Sequence, residues 1–286
     1  MTGPPRPLPG PQIRGTLTRM SGHPREAPGP FRADQIRDGD PYELSDGHAI
    51  RCMTAGERHA RANLEGGRVL ATDPAVDGAV GVDAGFSFND SRNLRAPDLS
   101  VGVGTSSTWM RTAPPLAVEY ADTGQDEPEL ARKIDEMLAA GTRIFWVVRL
   151  VGPVRVEVHT RGEPVRVVDI DGTLTAPGIL QNPVPVRALV DARAANAATL
   201  RNLLNAAGYD SIEAIRSEGK REGRQEGMQE GERQAQLRAI VTILRTRGLH
   251  LGDAHYARLQ ACRDPLQLTR WLSQSVTAAS TDAALD

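Results

Sequence analysis

The sequence is poor in cysteine and nearly balanced in charge, and each feature narrows the classes of protein that it can encode. Its 286 residues include two cysteines, Cys52 and Cys262, which cannot form a disulfide framework or a cysteine-rich zinc site. The net charge of −2 predicts no strongly basic surface for a nucleic-acid or membrane partner. With 40% hydrophobic and 24% charged residues, the composition is that of an ordinary globular protein.

Long apolar segments and lysine are also scarce. Runs such as IFWVV fall far short of the roughly 20 residues that a membrane-spanning helix needs. The proline-rich N-terminus lacks the apolar segment of a secretory signal, so we expect a cytoplasmic protein without a membrane partner. Of 34 basic residues only Lys133 and Lys220 are lysines, so the position of each one is informative.

Composition divides the chain into three regions. Residues 1–30 are dense in proline and glycine and predict a disordered tail. Residues 31–190 alternate short apolar runs with turn signals, and residues 191–286 follow a helical pattern almost throughout. In the middle region, YELSDGHAIRC predicts a hairpin that turns at Asp46-Gly47. GERHARANLEGGRVL predicts a short helix weakened by Gly66-Gly67. Strands are predicted for DLSVGV, LAVEY, IFWVVRL, VRVEVHT and VRVVDI.

The helix EPELARKIDEMLAAG lies between two of these strands, with Pro128 in its first turn and Gly141 at its end. A strand, a helix and a further strand indicate a crossover unit whose helix packs on a sheet. We therefore predict an α+β fold with a mixed sheet and flanking helices, followed by an α-helical C-terminal extension.

The extension contains a four-residue repeat, SEGK-REGR-QEGM-QEGE. Its glycines form a slowly turning stripe along a helix, and each weakens the helix by about 1 kcal/mol relative to alanine. The stripe indicates either a close helix–helix contact, such as a homo-oligomer formed through the C-terminal helices, or a solvated linker helix. The pattern leaves both interpretations open.

Two short motifs suggest chemistry that the rest of the chain does not support. DIDGTL, Asp169 to Leu174, matches a phosphatase signature, but the residues after it contain hardly any strand pattern and no acidic pair after a strand, and their one lysine, Lys220, lies in the glycine-repeat helix. A hairpin turn at Asp171-Gly172 is the better interpretation. GVGTSS resembles a phosphate loop but lacks the lysine and the following helix, so it predicts a turn between strands. No GxSxG or HExxH motif is present.

A quieter set of residues is more promising. Asp98 precedes one predicted strand and Glu119 lies in the next, so both carboxylates can meet at one end of the sheet. Two hard oxygen ligands, completed by waters and a phosphate oxygen, suit Mg²⁺. On the crossover helix Lys133 borders the apolar stripe, whereas Arg132, Asp135 and Glu136 are predicted to point away. A surface ion pair with a snorkelling lysine is the alternative that spacing alone leaves open.

At this point the ordered motifs resemble a known family. FRADQIRDGDPYELSDGHAIRCMTAGERHARANL, RAPDLSV and PPLAVEYADTGQDEPELARKIDEMLAAGTRIFWVV are similar to the bacterial putative restriction endonucleases of the Uma2 family. The resemblance covers residues 31–190 and implies a fold of the PD-(D/E)XK nuclease type. It matches the family's site residues to this chain at Asp98, Glu119, Lys133, Glu43 and His59. Ala121 occupies the usual lysine slot, and YADTGQDEP replaces the turn common in the family.

The resemblance implies a metal-dependent endonuclease that hydrolyses phosphodiester bonds in DNA. Asp98 and Glu119 would hold Mg²⁺ or Mn²⁺, and Lys133 would orient a water or stabilise charge on the phosphate. Glu43 would complete the metal shell, and His59 would position that shell or contact the substrate.

The acidic balance of the middle region argues against tight binding to DNA. Residues 31–190 contain 17 basic and 23 acidic residues, a balance that predicts weak, metal-assisted DNA binding. The competing hypothesis is a catalytically silent nuclease-fold module for interaction and assembly.

Overall fold

The computed structural model describes residues 29–105 and 108–286. The predicted N-terminal tail therefore lies outside the described residues except for its last two positions, and the GVGTSS segment lies outside them at Ser106 and Ser107. The strands are β1 Tyr42–Ser45, β2 His48–Arg51, β3 Val80–Val82, β4 Phe86–Phe88, β5 Asn93–Arg95, β6 Leu99–Val101, β7 Leu116–Ala121, β8 Ile144–Arg149, β9 Arg155–Thr160, β10 Arg166–Asp169, β11 Thr173–Leu174 and β12 Val184–Pro185. The α-helices are α1 Glu57–Ala71, α2 Glu127–Ala140, α3 Ala192–Ala206, α4 Ile212–Thr246, α5 Asp253–Ala261, α6 Pro265–Thr277 and α7 Thr281–Ala284, and 3-10 helices span Ala33–Gln35 and Val186–Leu189.

A six-stranded mixed sheet forms the centre of the first part of the chain. Its order is β10-β9-β8-β7-β6-β3, in which β7 and β8 are parallel and the other neighbours are antiparallel. Helix α2 joins the two parallel strands, which confirms the predicted crossover unit. Its N-cap Asp126 accepts from the backbone of Glu129, and Gly141 ends it with φ of 119°, in the left-handed region that favours glycine. The predicted α+β class with a mixed sheet is confirmed.

The two faces of this sheet are covered by different helices, because side chains alternate along a strand. On β7, Leu116, Val118 and Tyr120 belong to the core on the α1 side. The intervening Ala117 and Ala121 pack on the α2 side with the apolar stripe of that helix. This alternation places Glu119 on the α2 side.

Helix α1 runs its full 15 residues despite Gly66-Gly67. The reason for a glycine at position 66 is space, since a Cβ atom there would collide with the hydroxyl of Tyr120. That hydroxyl donates to the carbonyl oxygen of Leu189 at 3.2 Å. Gly66 therefore lets α1 approach the sheet closely.

A second sheet of four strands has the order β2-β1-β5-β4. The predicted hairpin is confirmed, because Ser45 pairs with His48 and both Asp46 and Gly47 have positive φ, as a two-residue hairpin turn requires. The short strands β3, β4 and β5 have no counterpart in the sequence prediction.

The hairpin predicted at Asp171-Gly172 is wrong. The turn connects β10 to β11, but β11 pairs with β12 and β10 pairs with β9. The structure does not support the phosphatase interpretation, because the side chain of Asp171 is 83% exposed and forms an ion pair with Arg187.

The described residues form two compact units that divide between Asp210 and Ser211. This division lies beyond the predicted boundary at residue 190, because α3 packs within the first unit. Buried Asn202 of α3 donates to the carbonyl oxygen of Val69 in α1 at 2.9 Å.

The second unit contains the helical module predicted for the C-terminal region. Buried side chains of α4, α5 and α6 form its core, namely Leu237, Ile240, Leu244, Leu259, Leu268 and Trp271. The glycines of the repeat lie in α4, and a Cβ added at any of them meets nothing within 4 Å. Homo-oligomer formation through this stripe stays a prediction. In the described part of the chain, no helix is both long and apolar enough to cross a membrane.

Candidate active site

One cleft of about 1050 Å³ in the first unit is lined by all five residues that the sequence singled out. Its walls come from β1, β5, the end of β7 and the first turns of α1 and α2. The lining residues from the predicted set are Glu43, His59, Asp98, Glu119 and Lys133.

Glu119 and Lys133 meet in the interior of this cleft. Glu119 is on the α2 side of β7, and Lys133, in the second turn of α2, lies over it. The Lys133 ammonium donates to Glu119 Oε1 at 3.1 Å and to Glu43 Oε1 at 2.9 Å. Its third acceptor is the carbonyl oxygen of Ala96 at 2.9 Å. The Lys133 side chain is only 9% exposed, so the alternative of a surface ion pair is wrong.

Burial sets the ionisation of this pair. Burial, together with the charges of Asp98 and Glu43, raises the pKa of Glu119 to about 7 although Lys133 opposes the shift. For Lys133, burial lowers the pKa, but the carboxylates of Glu119 and Glu43 outweigh it and keep the amine protonated. The site therefore holds a permanent cation beside a carboxyl group that titrates near neutral pH.

Asp98 lies at the same end of the sheet. The register of β6 on β7 pairs Leu99 with Val118, so Asp98 and Glu119 are next in line on adjacent strands. Asp98 Oδ2 accepts from the backbone N–H of Tyr120 at 2.6 Å. Its Oδ1 lies 3.0 Å from His59 Nε2, and this hydrogen bond raises the pKa of the imidazole. His59 thus fixes the orientation of the Asp98 carboxylate.

Glu43 is engaged on both oxygens. Oε1 accepts from Lys133 and from the backbone N–H of Ala96 at 3.3 Å, and Oε2 accepts from Arg95 Nη1 at 3.1 Å. These contacts suit a residue that holds the two cations in place better than one that completes a metal shell.

The sequence reasoning missed Arg95 and misplaced Glu136. Arg95 has a fully buried side chain and pairs with Glu43, Glu129 and Glu136. Glu136 was predicted to point away, but it faces the β1–β5 sheet and also accepts from the hydroxyl of Ser45. A possible signal was the seven-residue spacing of Glu129 and Glu136, which places both on one side of α2.

Two carboxylates of the cleft could bind a hard divalent cation, but they would supply only part of its coordination shell. Glu119 Oε2 is buried and accepts no hydrogen bond, although Lys133 Nζ lies 3.0 Å from it. This oxygen and the Asp98 carboxylate are the kind of ligand that Mg²⁺ prefers. Among the described residues no group of three or more candidate ligands is close enough to hold a metal ion. An ion at this site would need waters or substrate oxygens for its remaining positions.

The first unit is an α+β domain whose cleft combines carboxylates with a buried lysine. Residues 31–185 match the model of the Uma2 family, whose description is putative restriction endonuclease. Because the match spans more than half of the chain, this protein belongs to the Uma2 family, and the resemblance seen in the sequence is confirmed.

A solved structure supports the fold. The crystal structure of a putative nuclease belonging to DUF820 from Anabaena variabilis is 18% identical to this chain, with a TM-score of 0.50. The match covers 56% of this chain and 98% of that chain, and at this identity it establishes the fold alone. No curated protein matches the chain.

Proposed function

We propose that this protein is a divalent-metal-dependent endonuclease that hydrolyses phosphodiester bonds in DNA. The observation that carries the proposal is the convergence of Asp98, Glu119 and Lys133 in one cleft of a chain from a family described as putative restriction endonucleases. Perturbed ionisation within a cleft, here at Glu119, is a further property of functional sites.

Lys133 would act as a fixed positive charge. Its three ammonium protons all have acceptors within 3.1 Å, so it is held rigidly and has no spare donor for a water molecule. A charge fixed beforehand stabilises the negative charge that grows on the phosphoryl oxygens in the transition state. This role agrees with one of the two that the resemblance implied for Lys133.

Asp98 and Glu119 would hold the cation, with His59 and the Tyr120 N–H fixing the Asp98 carboxylate. Mg²⁺ or Mn²⁺ bound there would polarise a phosphate oxygen and lower the pKa of a water molecule. Glu119 must be ionised to bind a cation, and a cation in turn favours its ionised form.

DNA binding is expected to be weak. The first unit is acidic by sequence, and DNA affinity depends largely on neutralising phosphates. At the cleft, Arg58 is already paired with Asp122, and this ion pair lowers the pKa of Asp122 to about 2. A bound divalent cation would strengthen the binding by offsetting this acidity.

The proposal is tested by incubating supercoiled plasmid with the full chain in Mg²⁺, in Mn²⁺ and in EDTA. We expect nicking that requires the cation and that Asp98→Asn abolishes. Asp171→Asn is the matched control, since Asp171 is an exposed aspartate of the same unit outside the cleft. Cleavage that survives Asp98→Asn would overturn the site.

The same assay addresses the alternative of a catalytically silent module for interaction and assembly. Absence of cleavage by pure wild-type protein in every cation, on DNA and on RNA, would contradict the nuclease proposal and favour that module.

A further inference from the structure

Arg95 stands out among the charged residues of the first unit because its side chain is 0% exposed. A guanidinium buried this completely must be neutralised by carboxylates. Arg95 Nε lies 2.6 Å from Glu136 Oε2, and Nη1 lies 2.7 Å from Glu129 Oε1 and 3.1 Å from Glu43 Oε2. Burial lowers the pKa of Arg95, but the three glutamates raise it further, so the group stays charged.

Glu43 links this cation to the candidate active site. One of its oxygens faces Arg95 and the other faces Lys133, so the direction of the carboxylate is fixed from both ends. The residue after Arg95 takes part as well, because Ala96 donates its N–H to Glu43 and accepts from Lys133 through its carbonyl oxygen. Arg95 and Ala96 therefore define the side of the cleft against which the ammonium rests.

We propose that Arg95 is a positioning residue for the reaction, whose ion pair with Glu43 holds the Lys133 ammonium against Glu119. The inference rests on the proposed function, because positioning has a catalytic meaning only if the cleft cleaves a phosphodiester. Without Arg95, the carboxylates of Glu129 and Glu136 would lose their common counter-ion and compete for Lys133, drawing it away from Glu119.

Arg149 offers a matched control. Its guanidinium also pairs with two glutamates, Glu127 and Glu157, and its side chain is 17% exposed. It lies on β8, and the cleft residues do not include it. The loss of an arginine that pairs with two glutamates beside the sheet would appear in Arg149→Met as well as in Arg95→Met, whereas a loss of Lys133 position would appear in Arg95→Met only.

The two lysines of this chain make the position of Lys133 directly measurable. Full-length protein labelled selectively in lysine with ¹³C at Cε gives two lysine signals, and Lys220 on the second unit serves as the internal reference. We expect Arg95→Met to shift or broaden the Lys133 signal and to leave the Lys220 signal unchanged. Arg95→Lys, which restores the charge without the forked geometry, adds a third lysine signal from position 95, and the Lys133 signal should shift less than it does in Arg95→Met.

Kinetics on plasmid DNA supply the second readout. Misplacement of a catalytic group by about 1 Å lowers the rate about 100-fold, so Arg95→Met should lower kcat by about that factor with little change in KM. Arg95→Lys should recover part of the loss, and Arg149→Met should retain wild-type kcat.

Several outcomes would overturn the inference. They are an unchanged Lys133 signal in folded Arg95→Met, or equal effects of Arg95→Met and Arg149→Met on kcat. If Arg95→Met does not fold, Arg95→Lys decides in its place, and an unshifted Lys133 signal with wild-type kcat contradicts the proposal. If wild-type protein cleaves no DNA, the proposed function fails, while the lysine spectra still show whether Arg95 positions Lys133.

Discussion

Lys133 is held in an environment that few lysines occupy. It is almost fully buried and shares its protons between Glu43, Glu119 and a backbone carbonyl. Removing one partner of a buried ion pair leaves uncompensated charge in the interior, which is far more costly than losing an exposed pair. The stability of the first unit therefore depends on this one amine.

We predict that Lys133→Met lowers the free energy of unfolding by about 3–5 kcal/mol, because two buried carboxylates lose their shared cation. Lys220→Met should change it by less than about 0.5 kcal/mol, since Lys220 is exposed on α4. Urea denaturation of both variants measures the difference. Equal losses would show that the buried ion pair does not stabilise the fold.

The raised pKa of Glu119 predicts how the stability of the fold depends on pH. Its folded-state pKa of about 7 lies above the ordinary value of 4.5, so the folded protein binds more protons than the unfolded chain between these two values. Its contribution to stability is therefore largest below pH 4.5 and is lost as the pH rises to about 7.

The difference between wild type and Glu119→Gln isolates the contribution of Glu119 and the groups coupled to it, because carboxyl groups far from the cleft are unaffected by the substitution. In metal-free buffer, we expect the wild type to lose stability relative to Glu119→Gln between pH 4.5 and 7. Denaturation midpoints across this range provide the measurement. If the denaturation midpoints of the two proteins change in parallel with pH, the pKa of Glu119 is not raised.

Among the elements, β7 and α2 were predictable from the sequence because their patterns are long. A six-residue, mostly apolar strand and four turns of apolar stripe indicate a strand with a helix packed on it, and this placed Glu119 and Lys133 near each other. Strand β5 has three residues, which is too short for a periodic signal. The sequence therefore gave no reason to bury Arg95, and the role of Glu136 was lost with it.

Helix α4 leads to a prediction at the same scale. Gly→Ala at positions 219, 223, 227 and 231 should favour the helix by about 1 kcal/mol each, because the added Cβ atoms meet open space. Circular dichroism should show higher helicity and a higher melting temperature for the second unit.

The same variants decide between the two interpretations of the glycine stripe. Light scattering should show a smaller assembly in the alanine variants if the stripe forms a close homo-oligomeric contact. An unchanged mass would leave a solvated helix as the remaining interpretation. Lower helicity in the variants would contradict the stability prediction itself.

For the whole molecule, the order of motifs along the chain carried more information than any single motif. Glu43, Asp98 and Lys133 are separated by tens of residues. The pairing of β1 with β5 and of β6 with β7, together with the packing of α2 on the sheet, brings them together, and no local pattern specifies these contacts. Helix α3 shows a similar dependence on contacts between distant residues. By its sequence pattern, α3 resembles the helices that follow it, but its Asn202 contacts Val69 of α1, which is more than 130 positions earlier in the chain.

We propose that a nuclease with so acidic a first unit requires the cation for both DNA binding and cleavage. We therefore expect activity to increase with the fraction of protein that has a cation bound at Asp98 and Glu119.

The most direct measurement is the initial rate of plasmid nicking as a function of Mg²⁺ concentration, for wild type and for Glu119→Gln. We predict a rate that saturates with Mg²⁺ in the wild type and is at least about 100-fold lower in Glu119→Gln at every concentration, because the variant lacks a charged ligand. Wild-type rates in Glu119→Gln, or nicking that is independent of Mg²⁺ in either protein, would contradict the assignment of this cleft as a metal-dependent nuclease site.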